Sequence, residues 1–132
     1  MAIKSIRVFF RTARAGGKLI SAVPYANVQY TDQMSKRVEL DIDRITMQNY
    51  KGKAVGEDYF AIITTSDYLI YGEGDHLSGI IDRSVAGDIV MVDSDMLICL
   101  NGNLLAGYDM NGRIKAQNHI SDSAVARIRN KY

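Results

Sequence analysis

"YLIYGEGDHLSGIIDRSVAGDIVMVD", from Tyr68 to Asp93, holds the decision about the fold. Its first part belongs to "DYLIYGEG" (67–74), which follows "DYFAIITT" (58–65) across the turn signal Thr65-Ser66-Asp67. Two apolar runs separated by turn-forming residues predict a β-hairpin. Gly74-Asp75-His76-Leu77 then reads as a turn, and Gly87-Asp88 opens another apolar strand, "DIVMVD". Downstream, "MLICL", "NLLAGY" and "RIKAQN" are punctuated by "SD", "NG" and "DMNG", where Asn and Gly supply the positive φ of tight turns. The second half is therefore predicted to be a β-meander or a small barrel.

Upstream, "SIRVFF" (5–10) is β-branched and aromatic, which predicts a first strand, and "ARAGGK" after it reads as a flexible breaker. "RVELDID" alternates Val38, Leu40 and Ile42 with charged residues, the period of a half-buried strand. The period changes at the C-terminus. Ser121 is placed to cap a helix with Asp122 in its first turn, Ile120 and Val125 as a hydrophobic staple, and Val125, Ile128 and Tyr132 near one face. Arg127, Arg129 and Lys131 then favour the negative end of the helix dipole. The expected fold is mainly β, a small barrel-like or meander sheet with a short C-terminal α-helix covering an open end of the sheet.

A length of 132 residues suits one domain with a hydrophobic core. Within it, residues 1–19 are expected to form a strand and flexible arm, 20–118 the β core and 119–132 the helix. No apolar run approaches the roughly 20 residues of a membrane helix, and the N-terminus lacks the apolar segment of a secretory signal, so a cytoplasmic protein is expected. Cys99 is the single cysteine and lies in "MLICL", where a buried structural thiol is expected. The net charge of +1 hides an uneven distribution. Residues 1–54 hold ten Lys/Arg against four Asp/Glu (+6), residues 55–112 one against ten (−9), and residues 113–132 five against one (+4). Such polarity suits docking of the basic ends onto the acidic middle of the same or another copy, and it leaves nucleic acid open as a partner of the termini.

From Tyr68 onward the order of features resembles the self-cleaving domain of LexA-type repressors and of UmuD. In that family an aromatic strand leads to a Gly-(Asp/Met)-Ser-Met turn bearing the nucleophile, then a Gly-Asp apolar strand, a hairpin, and a Val-Lys carrying the catalytic lysine. Here "DYLIYGEGDHL", "AGDIVMVD" and "NGNLLAGYDMNGRIK" follow in that order, with Lys115 39 residues after His76. The resemblance covers roughly residues 20–118, including "AVPYANV" and "RVELDIDRI". It implies a LexA C-terminal-domain-like fold in which Lys115 takes the general-base position, a role that needs burial to lower the amine's pKa. His76 stands where the family has its serine, which leaves the family reaction without its nucleophile. Ser78, two residues on, is the substitute and on a strand faces the same side as His76. Family members cut themselves between a small residue and glycine, a pattern met at Ala15-Gly16 and also at Ala86-Gly87 and Ala106-Gly107.

His76 with Glu73, Asp75, Asp82 and His119 offers metal-ligand residue types, but no spacing ties them into a site, and no metal or cofactor is expected. "GEGDHLSG" lacks the Gly-Lys-(Ser/Thr) ending of a phosphate loop. Three readings of function follow. The first is a catalytically degenerate UmuD/LexA-like domain acting as a dimer or higher homo-oligomer, with a DNA-damage-response protein as the partner the resemblance implies. The second is a structural or assembly subunit of a phage or mobile element. The third is an active serine-lysine autopeptidase that uses Ser78.

Overall fold

A computed structural model describes residues 2–73 and 75–131. They form three antiparallel sheets, a one-turn helix and a terminal helix. The first sheet holds β1 (Ile3–Ala15), β2 (Lys18–Tyr30) and β3 (Ser35–Glu39). The second holds β4 (Tyr50–Val55), β5 (Tyr59–Thr64), β6 (Asp67–Gly72) and β7 (His76–Asp82). After α1 (Arg83–Ala86), the third holds β8 (Asp88–Val92), β9 (Leu97–Asn101), β10 (Leu104–Tyr108) and β11 (Ile114–His119), and α2 (Asp122–Lys131) follows. Every hydrogen-bonded strand pair among the described residues joins neighbours in sequence, so the meander expectation holds, whereas the sheets keep free edges and close no barrel.

The two apolar runs explain the layering. Strands β5 and β6 are buried on both faces, which is why they read as continuous apolar stretches without alternation. Phe60, Ile62, Leu69 and Tyr71 face the first sheet, where they meet Ile6, Ala26, Val28, Val38, Leu40 and Ile45. Tyr59, Ala61, Tyr68 and Ile70 face the third, with Ile81, Leu97, Cys99, Ala106 and Tyr108. The second sheet is thus the middle of three layers, and each fully buried apolar side chain contributes about 1.5–3 kcal/mol. The hydroxyls of Tyr71 and Tyr68 find partners in the body of the protein. The Tyr71 hydroxyl accepts from Asp41 N at 2.9 Å, and the Tyr68 hydroxyl donates to Gly87 O at 2.7 Å. Cys99 is buried, and burial pushes its thiol up to about 12, as suits a structural rather than a reactive residue.

Several boundaries differ from expectation. The strand begun by "SIRVFF" runs on to Ala15, and "ARAGGK" is not a loose breaker but the end of a long hairpin. Ala15 pairs with Lys18 around Gly16 (φ +58°) and Gly17 (φ +79°), the two positive-φ positions of a tight primed turn. The third strand stops early. Pro24 has no N–H, its carbonyl takes a last bond from Leu40 N at 3.1 Å, and beyond it β2 has only β1 as neighbour. From Arg11 to Ser21 the hairpin is a two-stranded ribbon exposed on both faces. Phe10, edge-on to Tyr50 at 6.0 Å, marks where the ribbon leaves the body.

"RVELDID" likewise ends as a strand at Glu39. Asp41 accepts from Asp43 N and its carbonyl takes Ile45 N, so the chain turns there. Val38 and Leu40 are buried as expected, but Ile42 is exposed. Ser121 caps α2 as expected, its Oγ accepting from Ala124 N at 3.2 Å. The helix lies along the edge strand β8, where Arg129 meets Asp88 at 2.7 Å, and none of its described residues is buried. Tyr132, expected on its apolar face, lies outside the described residues. No helix among the described residues is long and apolar enough to cross a membrane.

Candidate functional site

The turn at 73–76 joins two adjacent strands of the middle sheet; Gly74 lies outside the described residues. His76 opens β7 opposite Gly72, with its side chain in solvent and its Nδ1 2.7 Å from Asp75 Oδ1. The same carboxylate accepts from Lys36 Nζ at 3.0 Å, and hydrogen bonds from His76 and Lys36 hold Asp75 below the usual carboxylate value. Glu73, Asp75 and His76 each bring one ligand-type atom within 4.8 Å of the others, all three exposed. Asp82 and His119 do not join them. The Asp82 carboxylate caps α1, accepting from Ser84 N and Oγ, and His119 ends β11 in another sheet.

Ser78 does share a side with His76. A Cβ built on Gly72 would lie 2.9 Å from Ser78 Oγ and 3.9 Å from His76 Cε1. However, β7 is bulged here: Leu77 pairs with Tyr71 and Gly79 with Ile70, leaving Ser78 as the extra residue. Its half-buried hydroxyl is bonded to two carbonyl oxygens, Ile70 O across the strand pair and Met110 O in the β10–β11 turn. The bulge turns this hydroxyl into a tie between the second and third sheets.

Lys115 is far from the buried amine that a general base requires. β11 is exposed along its whole length, and Lys115 Nζ sits 2.8 Å from Asp95 Oδ2 with both side chains more than half exposed. The Asp95 carboxylate raises the amine above its ordinary value, opposite to the direction that base catalysis needs. The burial that the general-base position would need is not met at Lys115. On a strand with no buried face, neither phase of the two-residue period points inward. No hydrogen bond or ion pair among the described residues joins Lys115 to Ser78 or His76; each holds its own partner. Ala15-Gly16 sits at the ribbon tip in the first sheet, while His76 and Ser78 stand on the second and Lys115 on the third. Wild type and Lys115→Ala are accordingly expected to stay at full intact mass from about pH 7 to about pH 11, a range that passes through the ordinary lysine value of about 10.4. In the variant the Asp95 carboxyl, now held low by the lysine, should rise toward its ordinary 3.8 in an NMR titration. A single cut that disappears in Lys115→Ala would reverse this assignment.

A second constellation lies on the outer face of the first sheet, and the reading of the sequence did not assemble it. The register places Arg7 beside Asn27 and Arg37, Phe9 beside Tyr25 and Glu39, and Arg11 beside Val23. Phe9 and Tyr25 stack at 5.5 Å and 18°. The Arg37 guanidinium lies 5.4 Å from the centroid of each ring, and that of Arg11 lies 5.6 Å from Tyr25. The alternation of "IRVFFR" gives one strand of this face, but Tyr25 and Arg37 arrive only through pairing. Comparison with protein-family models, curated proteins and solved structures returned no match for this chain.

Proposed function

We propose that this chain is a non-catalytic, self-associating subunit that grips its neighbours with the β1–β2 ribbon. The ribbon is the observation that carries this reading. Its exposed part presents Arg11, Arg14 and Lys18 with no acid, and Leu19 and Ile20 stand 40% and 65% exposed near its tip. An isolated two-stranded hairpin is marginal in water and gains stability by packing onto another surface. A cationic, partly apolar arm is complementary to residues 55–112 of a second copy, whose net charge is −9. Docking of an arm onto a different surface of the next molecule is heterologous and builds a ring or a filament.

Among the readings open from the sequence, an assembly subunit, as of a phage or mobile element, is favoured over a degenerate LexA/UmuD-like domain. His76 and Lys115 each sit against their own carboxylate and stand on different sheets. Sedimentation velocity tests the proposal. In the variant, Thr12–Ala22 is replaced by Asn-Gly, a two-residue hairpin loop that joins the paired Arg11 and Val23. Wild type is expected to form oligomers that dissociate with salt, and the shortened protein to be a folded monomer. A wild type that stays monomeric at about 100 μM, or a shortened protein that assembles equally well, would sink the idea.

A further inference from the structure

We propose that the outer face of the N-terminal sheet binds single-stranded nucleic acid, with Arg7, Arg11 and Arg37 on phosphates and bases and with Phe9 and Tyr25 forming the stacking platform. The inference uses the sheet face, which shares only Arg11 with the base of the ribbon, and its test reads nucleic-acid binding rather than self-association.

Charge is the first ground. Residues 1–31 contain Lys4, Arg7, Arg11, Arg14 and Lys18 and no Asp or Glu. On the face itself Glu39 is the acidic neighbour, opposite Tyr25 at the sheet edge. Among the described residues no carboxylate pairs with Arg7, Arg11 or Arg37, whereas Lys36, Arg44, Lys115 and Arg129 each meet one. Three guanidiniums without ion-pair partners, against the single carboxylate of Glu39, leave the face net positive and make it a focus for a polyanion.

Geometry is the second ground. The Arg37 guanidinium lies within cation–π distance of both Phe9 and Tyr25 and that of Arg11 within the same distance of Tyr25, so the cations and the aromatic pair form one continuous patch. Bases stack on aromatic rings and on guanidinium planes, and the guanidinium fork matches phosphate bidentately, a combination that lysines on the same sites would not offer. Ser5, Asn27, Gln29 and Ser35 line the register rows beside the platform and supply uncharged donors and acceptors. An acidic protein surface would satisfy the charge but would leave the stacking planes unused. Duplex DNA hides its base faces, which selects the single strand.

The test is fluorescence anisotropy with labelled oligo-dT of about 20 nucleotides, a matched duplex, and poly-glutamate as competitor, over a salt series. Wild type should bind the single strand in the micromolar range at about 100 mM salt. The combined Arg7→Ala, Arg37→Ala protein should bind about tenfold more weakly with a shallower salt slope, by about 0.7 for each phosphate no longer neutralised. Arg37→Lys keeps the charge and removes the flat cation; it should lower affinity severalfold with the salt slope unchanged. Tyr25→Leu should abolish the tyrosine fluorescence quenching that accompanies binding. Circular dichroism melts confirm that each variant is folded. Absence of binding at about 100 μM protein in low salt overturns the proposal, as does equal binding of duplex that is indifferent to Arg37→Lys. Displacement of the oligonucleotide by poly-glutamate at equal charge overturns it too and reassigns the face to an acidic protein partner.

Discussion

Replacing Gly87 by alanine is expected to lower the melting temperature by about 10 °C or more, through a loss of about 3 kcal/mol. Two costs combine at this position. With φ +81° and ψ −145° the backbone lies close to a region almost reserved for glycine, where a side chain costs about 1–3 kcal/mol. The added carbon would also press into Leu100 O and lie 2.8 Å from Asn101 Cα, so it strikes backbone of β9 that has no flexible end to move aside. The same residue closes α1 through its N–H to Arg83 O at 2.9 Å and accepts from the Tyr68 hydroxyl, so a displaced Gly87 loosens the helix, the third sheet and the buried tyrosine together. Thermal melts read the effect directly; a shift under about 3 °C would show that β9 gives way easily and that the close approach is unimportant.

Tyr59→Ala is the second substitution expected to be severe, at about 4 kcal/mol, against about 1 kcal/mol for Tyr59→Phe. The side chain is fully buried in the cluster between the middle and third sheets. Removal of the ring leaves a cavity there, whereas removal of the hydroxyl alone sacrifices a hydrogen bond shared between Asp93 O and Met96 O, each at 2.8 Å. Those carbonyls belong to the β8–β9 turn, which already closes through Asp93 N to Met96 O, so the phenylalanine variant should keep its fold. Burial raises the Tyr59 phenol well above its ordinary 10. The unfolded chain therefore ionises first, and the stability present below pH 10 is lost as the pH rises above it. Urea titrations at neutral and strongly alkaline pH should show that loss in wild type and a smaller one in Tyr59→Phe. Equal costs for the alanine and phenylalanine variants would contradict the packing account.

How much of this is written in the chain varies from element to element. The central strands were legible because burial on both faces leaves little room for polar residues between Tyr59 and Ile63 or between Tyr68 and Tyr71. The C-terminal helix was legible from Ser121 and the change of period. The far half of β1 was not, because a ribbon without a buried face shows no alternation, and its polar run looks the same as a loop. Strand β4 and helix α1 escaped as well, although Asp82 before and Gly87 after the short helix are ordinary start and stop signals. At the candidate site, the side shared by His76 and Ser78 followed from residue spacing. The outward turn of Lys115 did not, because it depends on what covers β11, and nothing among the described residues does. The stack of Arg37 on Phe9 and Tyr25 needs the registers of three strands, information that no single stretch carries.

The succession of strands, each paired only with its neighbour along the chain, bears on how the protein comes into being. Pairings between consecutive strands close short loops, so this architecture has a lower contact order than β-sandwiches whose strands cross between sheets. The first sheet is complete in sequence by Glu39, the second by Asp82 and the third by His119. On the ribosome each sheet can therefore zip before the next has emerged, with the middle one waiting, both faces greasy, for its second cover. From the synthesis of β7 until that of β10, the face formed by Tyr59, Ala61, Tyr68 and Ile70 stays uncovered and open to aggregation.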